Sequence, residues 1–502
     1  MELFDNLALG FTVAFSLNNL FYAFIGCLMG TMIGVLPGLG PLATISMLLP
    51  FTFGLDPTAA LIMLAGIYYG AAYGGSTTAI LVNLPGETSS VVTVIDGYKM
   101  SQRGRAGVAI ATAAIGSFFA GCVGTLILAA FASPLAGVAL RFGPTEYFSL
   151  MALGLIGSVS LSAGSVPKSL GMIVVGVILG TVGTDLNSGV QRFTFGSQYL
   201  WEGIEFIVIA VGVFAVGEIL TSLTRAEVSE TYTDASKMGQ LMPSRSDFKR
   251  MTPSILRGTG IGTLMGVLPG AGQTLASFFA YSLEKKVSRH RDELGRGAIE
   301  GVAAPEAANN AAAQTNFIPT LTLGVPGSAT MALMLGAMIM HNIQPGPSVI
   351  ARNPDLFWGL IASMWIGNVI LVLLNLPLVG LWVKLLKIPY RFLFPAILVF
   401  CCIAVYSVRF SSFDLYLTAG FALFGYAAVK LDLPAAPLIL GVVLGQLMEE
   451  SFKRAMILSR GDATTFFREP ISLSFLLIAA LLLILACLPK IRKSRDKVLV
   501  ED

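Results

Sequence analysis

The chain has 502 residues, of which 55% are hydrophobic and 12% charged, and its mean hydropathy is positive. That balance excludes a soluble globular protein. It points to an all-α polytopic membrane protein, because apolar runs of about 20 residues, enough to cross roughly 30 Å of hydrocarbon, recur from Leu20 to Leu488. The net charge of +3 comes without a basic patch interleaved with aromatics, so nucleic acid is excluded as a partner and the lipid bilayer is the expected surrounding.

The N-terminus lacks a Lys/Arg-flanked short apolar segment with a small-residue cleavage site, so no removable signal peptide is read and the first helix is expected to direct insertion. The apolar run 20–50 is interrupted by "GVLPGLG" at 34–40, and a second break, "NLPGETSS", follows at 83–90. Proline ends a helix and glycine lets the backbone turn, so Pro37-Gly38 and Pro85-Gly86 are predicted hairpin tips within the membrane. Glycine-rich faces such as "GIYYGAAYGG" at 66–75 suit close helix packing. The longest polar stretch, 224–252, reads as a linker. Beyond it the pattern returns: "GVLPGAG" at 266–272 repeats the first break, and "GVPGSAT" at 324–330 repeats the second. Residues 18–223 can be laid over 253–450 with small gaps, Phe148-Ser-Leu-Met-Ala meeting Phe394-Pro-Ala-Ile-Leu. The expected organisation is a first repeat at 1–224, a cytoplasmic linker at 225–252, a second repeat at 253–450, and a C-terminal part at 451–502. That last part holds one extra transmembrane helix, 472–488, and a basic tail. The five cysteines lie in apolar runs without metal-ligand spacing and read as small buried hydrophobes.

Lys and Arg mark cytoplasmic loops, and their excess swaps between the halves. The connection 51–57 has none and Lys99, Arg103 and Arg105 follow the second break, whereas the later counterparts carry Lys285, Lys286, Arg289, Arg291 and Arg296 first and only Arg352 afterwards. Arg141 stands alone where Lys384, Lys387 and Arg391 cluster. The halves are therefore expected to be inverted-topology repeats with re-entrant helical hairpins and broken helices. The N-terminus then lies in the periplasm and the tail, with Lys490, Arg492, Lys493, Arg495 and Lys497, in the cytoplasm. Lys453, Arg454, Arg460 and Arg468 dissent, falling on a predicted outer loop.

Four tips meeting near the midplane would expose unpaired N–H groups of half-helix N-termini, suited to a carboxylate, and free carbonyls suited to a hard cation. The expected substrate-binding residues are Gly38, Leu39, Gly40, Ser76, Thr77, Gly86, Thr88, Gly270, Gly272, Gln273, Asn310, Gly327 and Ser328. The expected cation-binding residues are Asn83, Glu87, Asn309, Thr315, Asn316 and Thr330. Glu306, in "AAPEAANNAAAQ", is a second intramembrane carboxylate, while Glu146, Glu205 and Glu218 read as interfacial carboxylates or caps. With no basic side chain placed at midplane depth, helix ends and a co-transported cation are left to neutralise a substrate anion.

At these motifs the sequence resembles the large membrane subunit of the tripartite tricarboxylate transporters, the TctA-type family. The likeness is carried by "GTMIGVLPGLGPLATISMLLPFTFGLDP", "GIYYGAAYGGSTTAILVNLPGE", "TVGTDLNSGVQRFTFG", "GVLPGAGQTLASFFAYSLEKK", "GVAAPEAANNAAAQTNFIPTLTLGVPGS" and "PLILGVVLGQLMEESFKRA", and runs nearly end to end. The resemblance implies a secondary transporter of citrate-like or other organic carboxylates in the bacterial inner membrane. It is driven by a sodium ion or proton gradient and has no other cofactor. It also implies a small four-helix membrane subunit and a periplasmic solute-binding protein as partners. A stand-alone carboxylate carrier or a channel is the alternative. An intramembrane serine hydrolase using "GGST" at 74–77 lacks a base, since His290 falls in a charged loop and His341 at a helix end far along the chain, so no catalytic residue is assigned.

Overall fold

The computed structural model describes residues 2–36, 40–161, 165–185, 188–224, 240–268, 272–385 and 390–487. Most of them are helical. The first half runs α1 (Glu2–Ala14), α2 (Leu17–Gly34), α3 (Pro41–Leu48), α4 (Pro57–Val82), α5 (Val91–Gln102), α6 (Ala106–Ala139), α7 (Pro144–Leu161), α8 (Val166–Gly180), α9 (Phe206–Ala210) and α10 (Gly217–Thr224). The second runs α11 (Arg245–Val267), α12 (Gly272–Val287), α13 (Glu300–Thr315), α14 (Phe317–Leu323), α15 (Ala329–Met340), α16 (Ser348–Arg352), α17 (Pro354–Asn375), α18 (Val379–Leu385), α19 (Tyr390–Arg409), α20 (Ser412–Lys430) and α21 (Ala435–Leu458). α22 (Thr465–Arg468) and α23 (Pro470–Cys487) follow, so the extra C-terminal helix begins two residues earlier than its apolar run suggested.

Local chemistry explains the boundaries. Asp56 accepts from the Thr58 amide at 3.0 Å and precedes Pro57, a cap and a first-turn proline that together start α4. Ser244 and Asp247 cap each other's backbone at the start of α11. The apolar run of "GVLPGLG" is divided between α2 and α3, and that of "GVLPGAG" between α11 and α12; Pro37, Gly38 and Leu39, and Pro269, Gly270 and Ala271, lie outside the described residues.

Two helices form the centre, α4 and α13, and nearly every residue of each is buried. α4 is apolar and α13 much less so; both are rich in Ala, and α4 adds Gly and Tyr where α13 has Asn and Gln. Each is held by a glycine ladder at four-residue spacing. Gly26, Gly30 and Gly34 of α2 lie against the carbonyls of Met63, Ile67 and Ala71 on α4, leaving no room for a Cβ, and α4 answers with Gly66, Gly70 and Gly74. Gly258, Gly262 and Gly266 of α11 lie in the same way against Ala304, Ala308 and Ala312 of α13. Close backbone approach gives dispersion contact where lipid provides no hydrophobic drive for helix association.

Around this centre the packing alternates between the halves: α6 lies on α13 and α17 on α4, α8 on α21, and the α9–α10 segment on α20. α1 packs on α17, and α23 packs on α7, where Ser149 and Ser472 share a 2.7 Å hydrogen bond and Phe148 meets Phe466. Seven described helical stretches are long and apolar enough to cross a membrane, and the protein is a multi-pass membrane protein. Their burial grades from 72% of Phe206–Thr224 to 17% of Pro470–Cys487, which turns Leu477, Leu481 and Ile484 outward as a lipid-facing surface.

Charged side chains gather at helix ends. Arg105 pairs with Asp247 at 2.7 Å, Arg250 with Glu300 at 2.8 Å, and Arg257 with Glu284 at 2.6 Å. The buried Asp96 on α5 accepts from the amides of Gly295, Gly297 and Ala298 and from the Tyr281 hydroxyl, all within 3.0 Å, and so ties α5 to the chain entering α13. Two features were not legible beforehand. Gly183–Thr184 and Gln191–Arg192 form a short antiparallel pair between α8 and α9, and Val211–Val216 is wound as a π segment inside the span Phe206–Thr224.

Candidate functional site

The two described Pro-Gly breaks have the same backbone signature. α4 ends at Asn83 in the left-handed region (φ 64°, ψ 21°), and α14 ends at Gly324 in the same conformation (φ 72°, ψ 20°). Four residues on, Glu87 (φ −146°, ψ 164°) and Ser328 (φ −155°, ψ 168°) are extended and cap the next helical turn: the Glu87 side chain accepts from the Ser90 amide, and Ser328 from the Met331 amide at 3.2 Å. Between them Gly86 and Gly327 press on the neighbouring helices. A Cβ on Gly86 would collide with Gly75 and sit 2.8 Å from the Gly34 carbonyl oxygen; one on Gly327 would sit 2.5 Å from Asn316 Oδ1.

These breaks open onto one cavity of about 690 Å³, within the size range of small-molecule sites. Five helix starts reach its wall: Gly40-Pro41 of α3, Thr88 ahead of α5, Gly272-Gln273 of α12, Ser328-Ala329 of α15, and Pro434-Ala435 of α21. Thr88 and Thr274 join the breaks of the two halves through a 2.9 Å hydroxyl contact. Among the described residues, no Lys, Arg or His lines the cavity, and its carboxylates are Glu87 and Glu218. Glu87 accepts from the Ser89 hydroxyl and from Asn309 Nδ2 at 3.2 Å. The fixed positive potential of the wall therefore comes from helix N-termini, about half a unit charge each. Such a wall can hold an anion, and the carboxylates in it can hold a cation beside that anion.

Apart from Asn309, the donor to Glu87, the predicted residues divide into four groups. Gly40, Gly86, Glu87, Thr88, Gly272, Gln273, Ser328 and Thr330 line the cavity, and Gly327 is buried just behind it. Ser76 and Thr77 face a second, far smaller cavity beside Glu306. Asn310 donates to Ser117 at 2.7 Å, Thr315 bonds back to the Ala311 carbonyl, and Asn316 is buried with neither amide atom partnered by protein. Asn83 is an exposed helix cap away from the cavity, and Gly38, Leu39 and Gly270 lie outside the described residues. Sequence reading missed Ser158, Phe214 and Glu218, which come from helices without a break, and the Pro434-Ala-Ala-Pro437 helix start. The proline-framed start resembles Gly40-Pro41 and was the one available signal.

The family profile described as the tripartite tricarboxylate transporter TctA family matches residues 20–440. An uncharacterised 52.8 kDa protein of the TAR-I ttuC′ 3′ region of Agrobacterium vitis is 57% identical over 502 residues, covering 100% of both chains. An uncharacterised protein of the TAR-II ttuC′ 3′ region of the same organism is 58% identical over 241 residues, 48% of this chain and 100% of that one. No solved structure matches. A match over most of the length, on a helical membrane fold whose broken helices border a large cavity, gives the assignment: the chain belongs to the tripartite tricarboxylate transporter TctA family, a family of transporters rather than enzymes.

Proposed function

We propose that the protein is the large subunit of a sodium-coupled importer of tricarboxylates or related organic carboxylates in the bacterial inner membrane. It works with a small four-helix membrane subunit and a periplasmic solute-binding protein. The observation that carries this reading is the meeting of five helix starts at one cavity that has carboxylates but, among the described residues, no basic side chain. A multiply charged anion entering it meets N–H dipoles together with Glu87 and Glu218, and a co-bound cation relieves the like-charge repulsion. Substrate and cation then favour each other, which is the requirement for coupling.

The two halves act as inverted-topology repeats, 1–224 and 253–450, separated by the linker 225–252 and followed by the C-terminal part 451–502, with the N-terminus periplasmic and the tail cytoplasmic. Support comes from the matched left-handed residues Asn83 and Gly324, the matched caps Glu87 and Ser328, the two glycine ladders and the alternating packing. In this reading the broken helices move as a unit against the α7–α8 and α19–α21 walls to give alternating access. The test is uptake in proteoliposomes containing the chain and its small partner, fed by the loaded binding protein under an imposed inward sodium gradient. Accumulation of a labelled carboxylate above its outside concentration is expected. Equilibration without accumulation would identify a channel instead.

A further inference from the structure

We infer that the small enclosed pocket around Glu306 is a sodium-binding site separate from the substrate cavity; its role in coupling rests on the transport reading above, its ligand chemistry does not. Glu306 is 1% exposed in the middle of α13, and its two carboxylate oxygens accept from Ser76 of α4 at 2.7 Å and Thr93 of α5 at 2.5 Å. Among the described residues no Lys, Arg or His pairs with it. A buried carboxylate held only by neutral hydroxyls lacks the counter-charge that burial demands.

The adjoining pocket measures about 10 Å³, space for a single water-sized occupant. Tyr73 and Asn375 also line it, at 5% and 2% exposure, and the Tyr73 hydroxyl and Asn375 Oδ1 have no protein partner. Ser117 adds a further hydroxyl, and Ile80, Ile110, Ala113 and Ala114 close the rest of the wall. The carboxylate, hydroxyl and amide oxygens at the pocket suit a hard cation, one carboxylate matches a single positive charge, and a volume without room for a hydration shell suits a small ion. The site joins α4, α5, α6, α13 and α17, so an occupant ties the glycine-packed centre to the helices laid across it. It is also linked to the large cavity. Asn309, three residues beyond Glu306, donates to Glu87 at the break after α4, and Ser76 follows Gly75, against which Gly86 packs. The corresponding position on α4, aligned through Asn83 and Gly324, is Ala65, so the first half has no counterpart.

The purified full-length chain, without carboxylate, is assayed for bound ²²Na⁺ and for its thermal unfolding midpoint in sodium, potassium and choline chloride at one ionic strength. Wild type is expected to show saturable sodium binding and a rise in midpoint that potassium does not reproduce. Glu306→Gln removes one bound sodium per chain, and Thr93→Val, which keeps the shape but deletes one hydroxyl, weakens sodium binding roughly tenfold. Size-exclusion profiles establish that both variants are folded. Sodium binding unchanged in folded Glu306→Gln and Thr93→Val would overturn the site, as would stabilisation that follows pH and is equal in potassium. If sodium binding behaves as expected while no carboxylate is taken up, the transport reading falls and the site stands; sodium-driven uptake with unaltered binding in both variants has the reverse meaning.

Discussion

At the scale of single residues, two glycines and one aspartate carry most of the argument. Gly86 and Gly327 sit where a side chain would enter a neighbouring helix or the Asn316 amide; Gly86 lines the cavity and Gly327 is buried just behind it. Valine at either position is expected to abolish carboxylate uptake and to lower stability by about 1–3 kcal/mol, the usual cost of overpacking, read by uptake and by thermal unfolding in detergent. Normal uptake by both variants would remove the breaks from the mechanism. Asp247 tests the electrostatics outside the membrane. Burial would raise its pKa, but hydrogen bonds from Arg105 and Ser244 outweigh that and hold the carboxyl below the usual range. A depressed folded-state pKa contributes stability above the unfolded value of about 3.9 that is lost as pH falls through the lower folded value. Asp247→Asn should therefore lower the unfolding midpoint at neutral pH and flatten its fall below about pH 4, measured by midpoint against pH. The broken motifs made Gly86, Glu87 and Ser328 legible in advance. Glu218 was not, because a carboxylate within an unbroken apolar helix reads equally well as an interfacial group, and only tertiary packing turns it toward the cavity.

At the scale of helices, the interruptions were readable and their surroundings were not. Proline and glycine act locally, so breaks after α4 and α14 follow from "NLPG" and "GVPG" alone. The burial of α13 escapes a hydropathy reading, since a helix shielded by protein needs small residues for close approach rather than apolar ones; the four-residue spacing of Gly258, Gly262 and Gly266 is the trace this leaves. The π segment at Val211–Val216 and the strand pair near Gly183 depend on partners distant in sequence and leave no periodic signal. The shared conformation of Asn83 and Gly324 yields a prediction at this scale. Asn83→Gly should be nearly neutral, whereas Asn83→Val and Gly324→Val should each lose about 1–2 kcal/mol, the steric cost of a side chain in the left-handed region. Unfolding midpoints of the three variants decide it. A harmless valine at both sites would mean that these helices do not end as described.

At the scale of the whole molecule, the cavity is built where elements from both halves of the chain converge. No single helix makes the cavity; α3, α12, α15 and α21 each bring an N-terminal turn, and the Pro-Gly break after α4 brings Glu87 and Thr88. Composition pointed to the membrane, the repeated motifs pointed to paired breaks, and the alternation of Lys and Arg pointed to opposed halves. Which helices close the walls around those breaks depends on how α6 crosses α13 and α17 crosses α4, and that is a property of packing rather than pattern. The central claim is that this cavity holds a carboxylate and a cation together. The most direct measurement is the rate at which a water-soluble maleimide labels Thr330→Cys in a cysteine-free chain, with and without tricarboxylate, in sodium and in potassium. The account predicts that tricarboxylate with sodium slows labelling at least roughly tenfold, corresponding to about 1.4 kcal/mol of protection, while either alone has a smaller effect. Equal rates in all four conditions, with the carboxylate bound as shown by calorimetry, would place the substrate elsewhere and contradict it.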